Sequence, residues 1–304
     1  MIKIKKIINN SSTFSQKIVA KKHVFLEFFL KFILYCASFI VFSIFLSIIC
    51  YIFINGIHYL NIKFILNSYS EVIPELTGIL PMLINTFYII ILTLILAVPL
   101  GIGTAIYLYQ YAKNNILTKI IKISIDILSG IPSIIFGLFG YTIFCVFFGL
   151  GTSILAGCLT MVLCSIPIII KTTEESLRIV PTHYIEGAGA LGAKNIRILF
   201  TITLPTAIPG IITSIILAAG KILGESAALI YTAGMSYRMP KNWFSHIFES
   251  GRTLTLHLYQ TAKQANTESS FRLSFASALL LLILAFLLNS ILDLIAFLFK
   301  KNNR

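Results

Sequence analysis

The chain has 304 residues, of which 57% are hydrophobic and 12% are charged, and its mean hydropathy is +0.92. A soluble domain carries about 25% charged residues because its surface faces water, so this composition excludes an ordinary soluble protein. The net charge of +13 agrees better with Lys and Arg on the cytoplasmic loops of a membrane protein than with nucleic-acid binding, and we expect no nucleic-acid partner.

Long uncharged apolar runs predict an all-α integral membrane protein with about six transmembrane helices in contact with lipid. A helix crosses the hydrocarbon layer with about 20 apolar residues, and continuous rather than alternating runs exclude a β-barrel. The spans are predicted at residues 32–54, 82–109, 127–148, 153–170, 207–232 and 273–299.

Polar segments divide the chain further. We expect a basic cytoplasmic tail at 1–31, a first helix with an external loop at 32–80, a transmembrane core at 81–299 and a short cytoplasmic tail at 300–304. Most of the 24 lysines and arginines fall on the tails and on the loops of one side, which predicts a multi-pass protein with both termini cytoplasmic. The first apolar run starts too late and is too long for a cleavable signal peptide.

Catalytic and metal-binding motifs are absent from the sequence. All five cysteines lie in apolar runs without a C-x-x-C pair, and the histidines lack H-E-x-x-H spacing. The nucleotide-binding motif G-x-x-x-x-G-K-[ST] is missing too, since Gly220-Lys221-Ile222 has neither its spacing nor its hydroxyl. We therefore expect no enzyme activity, no metal site and no cofactor in this chain.

The polar stretch at residues 171–205 is the most informative segment. It contains the pattern E-x-A-(three)-G-(nine)-I-x-L-P, formed by Glu186, Gly187, Ala188, Gly192, Ile202, Leu204 and Pro205. The pattern resembles the EAA loop of importer-type ABC permeases, which implies a short coupling helix that docks in a groove of an ATP-binding subunit. Glu186 is then the candidate docking residue, and the small residues permit a close approach of two backbones. The alternative is an ordinary amphipathic cytoplasmic loop with glycine turns.

The resemblance extends over residues 80–299 to the PstA-type permeases of phosphate ABC importers. It rests on the segments at 97–103, 129–140 (SGIPSIIFGLFG), 167–181 (PIIIKTTEESLRIVP), 220–227 (GKILGESA) and 254–261 (LTLHLYQT). It implies a type I ABC-importer permease fold in the cell inner membrane. It also implies three kinds of partner: a PstC-like second permease, two ATP-binding subunits that hold ATP and Mg, and an external phosphate-binding protein.

Lys221 and Glu225 are charged residues within the predicted fifth span. A charge at the centre of a transmembrane helix costs about 2.5–3.5 kcal/mol, and residues at i and i+4 lie on one helix face. We expect this pair to line the translocation path, with Lys221 attracting an anion and Glu225 positioning or releasing it. The alternative is a structural pair that holds helices together. PstA-type permeases usually have Arg at the position of Lys221 and Pro at that of Ala228, and Lys keeps the charge without the planar fork that matches phosphate.

Other residues leave alternatives open. Gly137 and Gly140 are expected to allow close helix packing rather than to contact substrate. The predicted outer loop at 233–272 is either an ordinary solvated loop or a surface that meets a binding protein or steers anions. Its candidate residues are Arg238, Lys241, Trp243 and Arg252.

Three functions remain at this point: a permease for phosphate, a permease for another oxyanion such as sulfate or molybdate, and a stand-alone carrier or channel. Competition for uptake separates the first two. The third would transport when the chain is reconstituted alone.

Overall fold

The computed structural model describes the backbone of residues 2–69, 78–112, 115–240, 242–264 and 268–302. It describes side chains within those ranges from residue 27 to residue 298, apart from 268 and 269. Lys241 and the basic side chains of residues 1–26 lie outside the described part. Every regular element in the described ranges is helical, which confirms the all-α prediction.

The helices of the described residues follow one another without strands between them. They are α1 (Ile2–Gly56), α2 (Ile62–Leu66), α3 (Leu80–Ile106), α4 (Ile116–Gly130), α5 (Ser133–Gly140), α6 (Ile154–Arg178), α7 (Thr182–Ala190), α8 (Asn195–Ile198), α9 (Leu204–Gly224), α10 (Leu229–Thr232), α11 (Leu254–Lys263) and α12 (Glu268–Asn302). Turns of π-helix continue α3 through Tyr107–Tyr111 and α5 through Tyr141–Phe147, and join α8 to α9 through Leu199–Thr203. The chain divides into two compact units, Met1–Ile54 and Asn55–Arg304, and the features below belong to the second.

Five continuous helical segments in the described residues are long and apolar enough to cross a membrane. They are Glu27–Tyr59, Leu80–Tyr111, Ile154–Arg178, Asn195–Gly224 and Ser270–Leu298. A further crossing exists only as a broken pair, Ile116–Gly130 with Ser133–Phe147, whose two parts are bent by 105°. The structure therefore gives six crossings when this pair counts as one, in agreement with the prediction of about six.

The prediction of a continuous helix at 127–148 is wrong, because the chain breaks between α4 and α5. Pro132 has no backbone N–H and disfavours helical geometry in the residue before it, and Ile131 is accordingly extended at φ −74° and ψ 129°. The buried side chain of Ile125 packs with Ile170 of α6. The apolar run is thus two helices with different directions.

Two predicted span ends also move. The fourth span does not end at residue 170, since α6 continues to Arg178 and holds Lys171 inside the helix. The fifth does not reach residue 232, because α9 ends at Gly224 and Glu225 is extended at φ −82° and ψ 125°. The chain then resumes as the short α10.

The segment at 233–272 is less open than a solvated loop, because it contains α11 and folds back onto the helices. Arg252 is only 8% exposed, and its Nε donates to the Met235 carbonyl at 3.1 Å. Burial lowers the pKa of His257 to about 3, and the positive charge of Arg252 acts in the same direction. Trp243, by contrast, remains 65% exposed.

α6 is the central helix of the second unit. Of its most apolar stretch 67% is buried, against 33% for the spans that contain α3 and α9. Glycines let neighbours approach: a Cβ on Gly140 would lie 2.1 Å from Thr160 Oγ1, and one on Gly137 would lie 2.9 Å from Ala228 Cα. The predicted packing role of Gly137 and Gly140 is confirmed.

Candidate coupling loop and translocation face

The segment that carries the E-x-A pattern forms a helix, a turn and a second helix. At the end of α7 the Ala193 N–H donates to the Ala188 carbonyl at 3.1 Å, and the Gly192 N–H donates to the Gly189 carbonyl at 2.9 Å. Gly192 has φ +81°, a left-handed conformation that glycine adopts without the clash that a Cβ brings. The glycine of the pattern is therefore required by the way in which α7 ends.

One side of α7 packs against the chain, and the other is open. Glu186 is exposed, and Leu191 is 91% exposed. A Cβ on Gly187 would meet nothing within 4 Å, although glycine inside a helix costs about 0.5–1 kcal/mol relative to alanine. Contacts within this chain do not explain that glycine. The packed side carries Ile185, which joins a cluster with Leu177, Val180, Leu204, Ala207 and Ile211.

The end of the pattern lies where the π-helical turn Leu199–Thr203 leads into α9. Leu204 belongs to the cluster just described, and Pro205 lies in the first turn of α9. The helical segment Asn195–Gly224 is continuous over 30 residues. α7 and Lys221 therefore lie toward opposite ends of this segment.

Lys221 and Glu225 do not form the predicted i, i+4 pair, because α9 ends between them. The Lys221 ammonium donates to the Cys164 carbonyl at 2.7 Å, and the Glu225 carboxylate accepts from the Ala228 N–H at 3.1 Å. Among the ion pairs of the described residues, none joins the two charges. Lys221 lies in the last turn of α9 and Glu225 directly follows that helix, so the two charges stay close along the chain.

The carbonyl that holds Lys221 belongs to a residue near the middle of the 25-residue α6. Pro167 lies three residues further along the helix, and its missing N–H deprives the carbonyl of Leu163 of its helical donor. The next carbonyl, that of Cys164, has a second lone pair that accepts from Lys221. The Lys221 ammonium accordingly lies level with the middle of α6, a helix long and apolar enough to cross a membrane.

The surface around Lys221 is open in the single chain. Gly220, Lys221 and Gly224 are all exposed, and a Cβ on either glycine would meet nothing within 4 Å. A lysine at this depth costs about 2.5–3.5 kcal/mol, and lipid tails offer it no hydrogen-bond acceptor. The α9 face, defined here as Gly220, Lys221 and Gly224, must therefore adjoin water or another chain.

Sequence reasoning missed α11 and its contact with α9. Thr255 Oγ1 donates to the Leu223 carbonyl, one of those left without a helical partner at the end of α9. Thr253 caps α11, since its Oγ1 accepts from the Leu256 N–H at 3.2 Å. A threonine directly before an apolar periodic run is a helix-start signal, and residues 253–263 carry that signal.

Known proteins with similar sequences decide the family. Residues 97–304 match the family described as binding-protein-dependent transport system inner membrane component. The chain belongs to this family. The permease is 36% identical over 240 residues to the probable ABC transporter permease protein YqgI of Bacillus subtilis (strain 168), covering 75% of this chain and 80% of that protein. It is 35% identical over 224 residues to phosphate transport system permease protein PstA 2 of Mycobacterium bovis, covering 74% and 73%. The predicted resemblance to PstA-type permeases is confirmed.

A solved structure supports the fold. A chain of the MetNI methionine ABC transporter, in an inward-facing conformation, matches the permease with a TM-score of 0.55, covering 76% of this chain and 99% of that one. The sequence identity is 21%, so the likeness concerns the fold alone. The expected ABC-importer permease fold is confirmed.

Proposed function

We propose that this permease is a subunit of an ATP-driven importer for inorganic phosphate in the cell inner membrane, with both termini in the cytoplasm. It forms the translocation path together with a PstC-like second permease. Two ATP-binding subunits hold ATP and Mg, an external phosphate-binding protein delivers the anion, and this chain performs no catalysis. The likeness to a protein named as a phosphate transport system permease, PstA 2, and the segments shared with PstA-type permeases support the choice of phosphate.

The open side of α7 supports its role as the coupling helix. Glu186 and Leu191 offer a carboxylate and an apolar side chain that this chain leaves uncovered. Gly187 has no side chain, so it leaves the backbone of α7 accessible at a position that no described residue covers. A groove on an ATP-binding subunit would cover the apolar group, pair the carboxylate and approach the backbone at the glycine.

The position of Lys221 is the observation that carries the pathway role. Its ammonium has three donors, and a neutral carbonyl holds it at 2.7 Å, so its charge and its further donors stay available to an anion. Glu225 is engaged by a backbone N–H and adds a nearby negative charge. A site that attracts an anion without enclosing it suits a path that must also release its cargo.

Uptake of labelled phosphate at low external concentration tests the function. We compare cells lacking this gene with cells in which it is restored. We expect loss and rescue of uptake, with competition by unlabelled phosphate but not by sulfate or molybdate.

Other outcomes assign other functions. Competition by sulfate or molybdate alone would identify a permease for that oxyanion. Transport by the chain reconstituted without ATP-binding subunits would identify a stand-alone carrier or channel. Unchanged phosphate uptake after deletion, in cells with no second phosphate importer, would contradict the assignment.

A further inference from the structure

Lys171 lies inside α6, on the same helix face as Cys164, whose carbonyl binds Lys221. α6 is continuous from Ile154 to Arg178, so Lys171 follows Cys164 by seven helical residues. Seven residues rise about 10.5 Å and turn about 700°, which returns to within about 20° of the same direction. Lys171 is therefore two turns from Cys164, on the same face of α6 and toward the end of α6 that leads to α7.

The surroundings of Lys171 are polar and open. Its Nζ lies 2.7 Å from Asp126 Oδ1 and donates to Ser129 Oγ at 2.8 Å, while the Ser129 hydroxyl donates to the Asp126 carbonyl at 2.8 Å. The side chains of Lys171 and Asp126 are 45% and 69% exposed. An ion pair with this exposure contributes only about 0–1 kcal/mol, so another anion can take the place of the carboxylate.

The break between α4 and α5 begins two residues after Ser129, at Ile131. Gly130 and Pro132 are exposed, and a Cβ on Gly130 would meet nothing within 4 Å. Non-helical backbone at membrane depth is tolerated only where it is buried in protein or lines a water-filled cavity. Ile131 packs partly against the core, but Gly130 and Pro132 are not covered by the described residues, so this side of the break adjoins water or the second permease, as the α9 face does.

We propose that Lys171, with the hydroxyl of Ser129, is a second binding station for an oxyanion of the phosphate class, which moves from Lys221 to Lys171 along one face of α6. The proposal rests on the proposed function and extends it to a second site. At the station the anion replaces the Asp126 carboxylate as the acceptor of Lys171, and the Ser129 hydroxyl turns to donate to it. The carboxylate returns when the anion leaves, which prevents trapping of the cargo.

A purely structural ion pair between α4 and α6 is the competing explanation, and the chain offers a matched control for it. Lys122 of α4 lies 3.6 Å from Glu174 of α6, and its side chain is 43% exposed. Glu174 is also held by Arg178 at 2.7 Å. Lys122 therefore joins the same two helices with similar exposure, but Glu174 keeps a cationic partner when Lys122 is neutralised.

The test uses the complete complex in proteoliposomes with the binding protein outside and ATP on the side of the ATP-binding subunits. Uptake of labelled phosphate and co-purification of all subunits are measured for each variant. For Lys171→Gln we expect uptake to fall by about tenfold or more, because a charge-assisted contact to the anion is lost. Lys171→Arg keeps the charge and should retain most of the uptake, and Lys122→Gln should transport like the wild type.

The double variant Lys171→Gln with Asp126→Asn separates the two explanations, since its neutral pair leaves no unbalanced charge and both amides can hydrogen-bond. We expect an assembled complex whose uptake stays as low as that of Lys171→Gln. Recovery of uptake in the double variant, or normal uptake in Lys171→Gln, would overturn the station. If the wild-type complex takes up sulfate or molybdate instead of phosphate, the phosphate assignment fails, and the same variants test the station with that anion.

Discussion

The ammonium of Lys221 is held at 2.7 Å by a carbonyl oxygen of α6 rather than by a carboxylate. A fixed ion pair at this depth would neutralise the lysine and compete with an anion in transit. A carbonyl lowers the cost of the charge without cancelling it, so the ammonium keeps its positive charge.

Neutralising Lys221 should remove transport while sparing assembly. For Lys221→Gln we expect phosphate uptake to fall by about tenfold or more, because the amide still reaches the Cys164 carbonyl but no longer attracts an anion. Lys221→Arg restores the residue usual in PstA-type permeases and should keep uptake. Uptake in cells and co-purification of the subunits provide the measurement. Persistent transport by a complex that no longer assembles well would indicate a structural role instead.

For single residues, the sequence predicts which side chains are notable better than it predicts the groups that they contact. Lys221 was found because a charge stood alone in an apolar run, and Gly192 because the spacing of the pattern required it. The partner of Lys221 was predicted wrongly, since Glu225 follows the end of α9 and hydropathy does not reveal where a helix stops inside the membrane. The sequence does not reveal that Lys171 is helical, because a charge at the edge of an apolar run is also typical of the start of a loop.

Helices that run unbroken through their apolar stretch were predicted well, and those that break within it were not. The span at 82–109 is found at Leu80–Tyr111, and the span at 273–299 lies within α12. The runs around α5 and α10 are equally apolar, but helices break before both, at Ile131 and Pro132 and at Glu225. Hydropathy measures transfer from water, so it does not distinguish a helix that crosses lipid from a segment that turns back inside protein.

The exposed carboxylate of Glu186 on α7 allows a separate prediction. Glu186→Lys should weaken association with the ATP-binding subunits and uncouple transport, because it reverses a charge on the open side of α7 while leaving the packed side intact. Co-purification of the ATP-binding subunits and phosphate uptake measure the effect. Glu175→Lys reverses another exposed charge, outside α7, and serves as the control. Normal co-purification of the ATP-binding subunits with the Glu186 variant would show that Glu186 does not contribute to the contact with them.

At the scale of the whole molecule, the α9 face is left open by the described residues, and we expect the second permease to approach it. For Gly220→Leu we expect a correctly inserted chain that fails to pair with the second permease or to transport, since the added side chain has free space here but not in an assembled path. Thermal stability of the isolated chain is the internal control and should not fall. A variant that assembles and transports normally would show that no other chain approaches closely at Gly220.

The 30 residues of Asn195–Gly224 form one helix, about 45 Å long at 1.5 Å per residue. Tilting a lever of that length by about 5° about one end moves the other end by about 4 Å. The cluster that contains Ile185 and Leu204 packs α7 against the ends of both α6 and α9, so we expect a small displacement of α7 to produce a larger one at Lys221. That displacement exceeds the 2.7 Å between the Lys221 ammonium and the Cys164 carbonyl. We therefore expect the contact between Lys221 and the Cys164 carbonyl to persist only if α6 and α9 tilt together. A difference in their tilt of about this size would break the contact.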